Sequence, residues 1–241
     1  MSRTPRLVLG SAVALALFAS LIGLGVWQLQ RLALKSEFRR QQEFVYNAPP
    51  IELPVRESNL AGMAYRRVRV TGTFDHAHEF HLWAQRDGKA GYDVLTPIVR
   101  VGEGEGQTLL VDRGWVPLDR KDPGTRVAAQ APGTVTIAGF VRTDMAIRGA
   151  MTPANDPAQN IWYAVDYAAM GDKSQMYLRP YVLVADAAPN PGGLPLGVKG
   201  LPAEPNNHLQ YAITWFSIAA ALVAIYVLAL RRQLAAAKTS L

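Results

Sequence analysis

The sequence predicts a membrane protein with two transmembrane helices flanking a mainly antiparallel β domain, which is barrel- or sandwich-like and of the α+β class. Two observations predict the helices. Leu7 to Gln30 and Leu209 to Leu230 contain no charged residue, and each run has about the length of a helix that crosses the hydrocarbon core of a bilayer. A third observation predicts the sheet, because apolar and polar residues alternate over several short segments between the two runs.

The first apolar run also has the character of a signal peptide, since Ala14-Leu15-Ala16 resembles a small-residue cleavage site. Cleavage there would leave only a short apolar stretch, whereas the run continues to Trp27. Signal-peptide apolar regions are shorter than this. The sequence therefore favours a retained anchor, with a tail at 1–6 and a transmembrane helix at 7–30.

The charges predict the topology. Residues 31–206 contain all 19 acids and 20 of the 25 bases, a net charge of +1, whereas the tails 1–6 and 231–241 hold five bases and no acid. By the positive-inside rule both tails are cytoplasmic, the second transmembrane helix is 207–230, and 31–206 is a periplasmic domain at a bacterial inner (plasma) membrane. The bases that follow the first helix, Arg31, Lys35, Arg39 and Arg40, oppose this assignment, but long domains translocate largely regardless of charge.

Several classes of function are disfavoured by composition. The chain has no cysteine, which excludes disulfides, thiolate metal sites and covalent haem attachment through C-x-x-C-H. The G-x-S-x-G, H-E-x-x-H and G-x-x-x-x-G-K-[ST] motifs do not occur. We therefore predict that the protein is not an enzyme. Because the domain is almost neutral, we also expect no nucleic-acid binding.

Within the domain, Arg67 to Phe74 alternates most regularly between apolar and polar residues. Glycine-containing turns, such as Arg86-Asp87-Gly88 and a hairpin loop at 102–106, separate further candidate strands. One helix is predicted from Asp166, as N-cap, through Met170. The further strands are predicted at 79–85, 92–99, 108–111, 134–141 and 181–185, and loops at 152–160 and 186–207.

Two blocks combine aromatic and basic residues. Trp27-Gln28-Leu29-Gln30-Arg31 closes the first apolar run, and its spacing alone favours an interfacial Trp beside an Arg that reaches the membrane surface. In Val111-Asp112-Arg113-Gly114-Trp115-Val116-Pro117, an apolar strand is predicted to end in a charged pair. Gly114 permits a bulge or a close backbone approach, and Arg113 could meet a carboxylate bidentately. A structural corner and a binding site both remain open there.

The four histidines fall into two groups. His76 and His78 are predicted to share a strand face and His81 to lie on the opposite one, a spacing that favours a solvated turn and strand over a metal site. His208 begins the second apolar run, with Tyr211 and Trp215 on the same helical face. A helix N-terminus disfavours the imidazolium and leaves a neutral ring able to ligate a metal. The sequence thus predicts either a capping residue or a site for a metal-centred or flat apolar ligand.

Three blocks together resemble the signatures of the surfeit-locus-one family, whose members assist assembly of haem-copper cytochrome c oxidase. The blocks are residues 25–31, 112–117 and 207–216, and the likeness extends to 160–163 and 181–185. Two positions depart from the family pattern. The family often has Asn where this chain has Asp112, and often a further Trp or basic pair where this chain has Leu32-Ala33-Leu34-Lys35.

The resemblance implies a chaperone that binds haem a at the outer membrane interface and assists its insertion into oxidase subunit I. The implied partners are subunit I, other oxidase assembly factors, haem a synthase and the lipid bilayer. His208 is implied as the ligand of the haem iron. An assembly scaffold that stabilises immature oxidase subunits without binding haem is the alternative. The predicted pocket residues are His208, Tyr211, Trp215, Trp27, Gln28, Arg31, Arg113 and Trp115.

Overall fold

The structure is a computed structural model that describes residues 3–54, 61–102, 107–187, 190–202 and 205–238. The chain divides into two compact units. One is a helical unit of Met1–Gln41 and Ala203–Leu241, and the other is a domain of Gln42–Pro202. In chain order the elements are α1 (Arg3–Asn47), β1 (Ile51–Glu52), β2 (Arg67–Phe74), β3 (Phe80–Arg86), β4 (Lys89–Arg100), β5 (Thr108–Pro117), β6 (Thr134–Arg142), α2 (Tyr167–Ser174), β7 (Leu178–Ala185) and α3 (His208–Lys238).

Both long helices can span a membrane. Leu7–Asn47 and His208–Gln233 are long and apolar enough, and their apolar residues are almost all uncovered by protein, as helices that face lipid require. Helix α1 continues beyond the predicted membrane segment because the residues after Arg31 are mostly good helix formers. It ends at Asn47, just before the Pro49-Pro50 pair, which cannot continue a helix.

Small residues bring α1 and α3 close together within the helical unit. Gly25 is buried, and a Cβ there would overlap the ring of Phe216. Ala212 and Ala219 of α3 are each 1% exposed. Side chains of this size let two membrane helices approach closely and gain dispersion contacts. The helices form an antiparallel pair, because Ser11 meets Tyr226 near one end and Gln28 meets His208 near the other.

The domain is built on a closed five-stranded barrel in the order β2-β6-β7-β5-β4, with β4 pairing again with β2. Four of the five junctions are antiparallel and the β5–β7 junction is parallel. Strands β1 and β3 extend the sheet beside β2 and β4. Closure leaves no open edge within the barrel. The predicted fold class, with terminal helices around a mainly antiparallel sheet, is confirmed, and the sheet is a barrel.

Alternation along the strands produces two apolar layers. One face of the barrel strands packs inward, and the opposite face of β5 and β7 packs under α2 and Trp162. Helix α2 is confirmed where the sequence predicted it, and the Asp166 carboxylate accepts a hydrogen bond of 3.0 Å from the Ala169 N–H. The inward layer contains Val68, Val70, Ile98, Leu109, Val111, Val141, Tyr181 and Leu183.

Strand β5 differs most from its prediction. It does not end at Val111 but continues to Pro117, with Asp112 paired to Leu95 of β4 and Val184 of β7. The charged pair belongs to the strand because the surrounding structure covers it. Strand β1 was not predicted. The predicted loop at 102–106 lies, apart from Gly102, outside the described residues.

Candidate functional site

His208 and Gln28 meet across the two helices. Helix α3 begins at His208, and the side chains of both residues are partly buried. The His208 Nδ1 lies 2.6 Å from the Gln28 Oε1, a short hydrogen bond between positions 180 residues apart in the chain. The sequence placed both residues in the predicted pocket, but their direct contact is visible only in the structure.

This hydrogen bond defines which ring nitrogen of His208 is free. An amide oxygen only accepts hydrogen bonds, so the Nδ1 carries the proton and donates it to Gln28. With this tautomer, the Nε2 is the ring nitrogen that can offer a lone pair to a metal, and no described residue hydrogen-bonds to it. Histidines that ligate metals commonly donate their other N–H in this way, because the bond sets the ring orientation and raises the basicity of the ligating nitrogen.

Trp27 and Arg31 form a second pair on α1, one helical turn apart. The guanidinium carbon of Arg31 lies 5.5 Å from the centroid of the Trp27 ring, within the range of a cation–π contact. Trp27 is 45% exposed. Trp27 precedes Gln28 in α1, so Trp27 and Arg31 bring a flat aromatic surface and a positive charge to the same part of this helix as Gln28.

Tyr211 and Trp215 follow His208 at intervals of about one and two turns of α3. Tyr211 is 54% exposed. The Trp215 Nε1 is buried and has no hydrogen-bond partner among the residues described. A buried N–H without a partner is uncommon in folded proteins. Trp215 therefore brings an unsatisfied donor to the same helix as His208.

Arg113 and Trp115 lie in β5 of the barrel domain, and each is almost fully buried. The Arg113 guanidinium donates to the Ala129 carbonyl and stacks over Phe74 at 5.0 Å, and burial lowers the pKa of Arg113. These contacts bind Arg113 to its own domain. A role for either residue in holding a ligand stays a prediction.

Gly114 provides the close backbone approach that the sequence allowed. Its φ is +118°, and a Cβ there would overlap the carbonyl of Leu196. The Trp115 N–H donates to the Leu196 carbonyl at 2.9 Å, and the Leu196 N–H donates to the Trp115 carbonyl at 2.8 Å. Glycine at this position lets β5 bind the loop around Leu196 through its backbone.

A buried carboxyl group, that of Asp112, and a partly buried one, that of Asp93, adjoin this corner, and the sequence did not identify them as a pair. Burial, reinforced by the charge of Asp93, raises the pKa of Asp112 to about 8. Burial likewise raises the pKa of Asp93 to about 6. The Asp112 Oδ1 accepts a hydrogen bond of 2.9 Å from the Gly114 N–H. The position of Asp112 beside an apolar strand end was the available sequence signal for burial.

The histidines of the domain differ from their predicted environment. His76–His78 is a short 3-10 helix rather than part of a strand. His81, predicted to be solvated, is 4% exposed, with its Nε2 2.9 Å from the Glu79 Oε1. That prediction is wrong because Glu79 and Arg126 form a buried ion pair that encloses the ring. The described part of the chain contains no group of three or more side chains suited to a metal.

The fold and the site together define a membrane protein with a β-barrel domain between two terminal helices and a histidine at the mouth of the second helix. Residues 15–220 match the SURF1 family. The chain belongs to this family, so the resemblance of the three sequence blocks is confirmed.

The relatives span eukaryotes and bacteria. The chain is 36% identical over 222 residues to a SURF1-like protein of Monosiga brevicollis, covering 88% of this chain and 83% of the relative. It is 32% identical over 225 residues to Surfeit locus protein 1 of Homo sapiens, covering 87% and 73%. It is 31% identical over 222 residues to a SURF1-like protein of Rickettsia felis, covering 90% and 94%.

Proposed function

We propose that this protein is an assembly factor for haem-copper cytochrome c oxidase that binds haem a through His208 and assists its insertion into subunit I. The SURF1 family is known for cytochrome c oxidase assembly, which supports the general role. The haem-binding step rests on one observation, the hydrogen bond between the His208 Nδ1 and the Gln28 Oε1.

The geometry of this hydrogen bond suits haem as cargo. The neutral imidazole presents the Nε2, the atom that would ligate the iron, and the bond to Gln28 sets the orientation of the ring. A single protein ligand leaves the second axial position of the iron open. This suits a carrier, which has to release what it binds. Bound haem is therefore cargo, and the protein needs no catalytic turnover.

The neighbouring side chains suit the rest of the cargo. The Trp27 ring is flat and partly exposed, and Arg31 is an exposed cation beside it. Haem a has two anionic propionates, which a guanidinium can bind, and a long apolar tail, which is soluble in lipid. A site at the membrane surface accommodates both parts. Tyr211 and Trp215 would add aromatic surface, and the Trp215 Nε1 would gain a partner from a bound acceptor.

We further propose that the protein lies in a bacterial inner membrane, with both termini in the cytoplasm and the barrel in the periplasm. The acid-free, basic tails support this orientation. Alkaline phosphatase is active only outside the cytoplasm, so its fusion after Leu241 should be inactive, whereas a green fluorescent protein fusion there should fluoresce. An active phosphatase at that position would overturn the topology.

The haem a proposal is tested by purifying the full-length protein in mild detergent from cells that make haem a. We expect the wild type to carry haem a, and His208→Ala to lose most of it. His78→Ala is the matched control, because His78 lies in the barrel domain and is bound to Asp75. If His208→Ala retains the wild-type haem content, the haem a proposal is wrong and the scaffold function replaces it.

A further inference from the structure

The helical unit contains a cavity of about 340 Å³ between α1 and α3. Its walls are apolar apart from one end, where Ser11 and Tyr226 face each other. The apolar wall consists of Ala14, Leu15 and Phe18 from α1 and Leu222 and Val223 from α3. The cavity is more than twice the size of the roughly 150 Å³ cavity that takes up benzene.

The polar end of this cavity is a pair of bonded hydroxyls. The Ser11 Oγ donates to the Leu7 carbonyl at 2.8 Å and lies 2.5 Å from the Tyr226 hydroxyl. Serine has one hydroxyl proton, so Tyr226 is the donor within the pair. The hydroxyls lie at the end of the cavity that is nearer the two chain termini.

Positive charge lies beyond the hydroxyl pair. Arg231 and Arg232 are exposed and follow Tyr226 by five and six residues, which is about 8 to 9 Å along a helix. The sequence also places Arg6 five residues before Ser11 on α1, and neither tail contains an acid. A molecule with its chain in the cavity and its headgroup at the arginines would gain from a negative charge.

We propose that this cavity binds an anionic phospholipid from the leaflet in which the chain termini lie. One acyl chain fills the cavity between α1 and α3, the ester region lies beside Ser11 and Tyr226, and the phosphate lies at the level of Arg231 and Arg232 along the helix axis. The sequence of apolar wall, hydroxyl pair and arginines follows the same order as the parts of such a lipid.

The dimensions agree with this occupant. From Ser11 to Phe18 the cavity extends about 10 Å along α1, which is within the roughly 15 Å hydrocarbon thickness of one leaflet. The cavity also lies between about 15 and 25 Å along α1 from Gln28. This proposal is therefore independent of haem binding at His208.

The test uses the full-length protein prepared without haem, with bound lipids counted by native mass spectrometry. Dioleoylphosphatidylglycerol is compared with dioleoylphosphatidylcholine, which has the same chains but no net charge. We expect the wild type to retain the anionic lipid about 30-fold better, since each of the two arginines contributes an attraction of roughly one kcal/mol near a membrane surface. Equal retention of the two lipids would overturn the proposal.

Three variants distinguish the contribution of the cavity to lipid retention from the contribution of the arginines. Ala14→Leu fills the cavity, and we expect it to lose both lipids. Arg231→Gln combined with Arg232→Gln should abolish the preference for the anionic lipid. Ala16→Leu makes the same change as Ala14→Leu at an exposed position outside the cavity, and it should behave as wild type.

The filling variant is checked for folding by circular dichroism and elution volume. Should it misfold, Val223→Phe fills the cavity from α3 instead. A correctly folded filling variant that retains wild-type amounts of phosphatidylglycerol would overturn the proposal. The proposal would also be overturned by a filling variant that keeps its lipid but loses a copurifying protein. In that case the cavity would be the binding site for a helix of a partner protein.

Discussion

The Gln28 Oε1 lies 2.6 Å from the His208 Nδ1, and this hydrogen bond joins the two membrane helices at residues 180 positions apart in the chain. It also fixes the proton on the Nδ1 and leaves the Nε2 free. Haem binding at His208 should therefore depend on Gln28, although Gln28 itself does not ligate the iron.

Gln28→Leu removes the acceptor while keeping a side chain of similar size. We expect haem affinity to fall about 10- to 100-fold, as is usual when the hydrogen-bond partner of a metal-ligating histidine is lost. Gln28→Glu, which restores an acceptor oxygen, should recover most of the affinity. Haem titration followed by absorbance measures both. Gln30→Leu, at an exposed position two residues away, is the control, and equal losses in the two leucine variants would contradict this role.

Gly25→Ala should separate the helix pair. The new Cβ would overlap the ring of Phe216, and overpacking of this kind costs roughly 1–3 kcal/mol. We expect a lower melting temperature in detergent and weaker haem binding. Gly23→Ala is the matched control, because a Cβ at Gly23 meets nothing within 4 Å. A melting temperature unchanged in Gly25→Ala would show that this close contact is not required.

The barrel domain should become less stable as the pH rises from 5 to 8. The folded protein holds the Asp112 proton up to a pKa of about 8, whereas an unfolded Asp releases it near pH 4. The folded state therefore binds more protons in this window, and its stability falls by up to about 1.4 kcal/mol per pH unit.

Asp112→Asn isolates this effect, because Asn cannot ionise and its Oδ1 still accepts the Gly114 N–H bond. The variant should be more stable than wild type at pH 8, with a smaller difference at pH 5. Urea unfolding followed by tryptophan fluorescence measures the two stabilities. An identical pH dependence in the two proteins would mean that Asp112 is already ionised in the folded domain.

Arg126→Met should strongly destabilise the domain. The Arg126 and Glu79 side chains are 2% and 3% exposed and form an ion pair. Removal of one partner leaves a buried charge, at a cost of about 3–5 kcal/mol. Arg120→Met removes a half-exposed arginine from a 3.8 Å surface pair, and it should change the urea midpoint much less. Similar midpoints for the two variants would contradict the importance of the buried pair.

The sequence predicted the helices well because their length and lack of charge are local properties. It predicted β2 and α2 for the same reason, since the alternation of Arg67 to Phe74 and the cap at Asp166 require no knowledge of neighbours. The continuation of β5 through Asp112 could not be predicted, because a charged residue stays in a buried strand only when distant segments cover it.

In the site, too, contacts within one helix could be predicted from the sequence, whereas contacts between distant segments could not. The spacing of Trp27 and Arg31 on one helix indicates their contact. The sequence block around His208 is what predicts a role for this residue. The bond between His208 and Gln28 depends on the register of two helices from opposite ends of the chain, which no local pattern specifies. The burial of His81 depends likewise on Arg126, which comes from a distant segment.

The central claim is that the His208 Nε2 ligates the haem iron, and imidazole rescue tests it most directly. Haem is added in equal amounts to the full-length wild type and to His208→Ala, and the optical spectrum of each is recorded before and after free imidazole is added. We predict that His208→Ala loses the wild-type spectrum and that imidazole restores it by occupying the vacated position. A wild-type spectrum in His208→Ala without imidazole would contradict the claim.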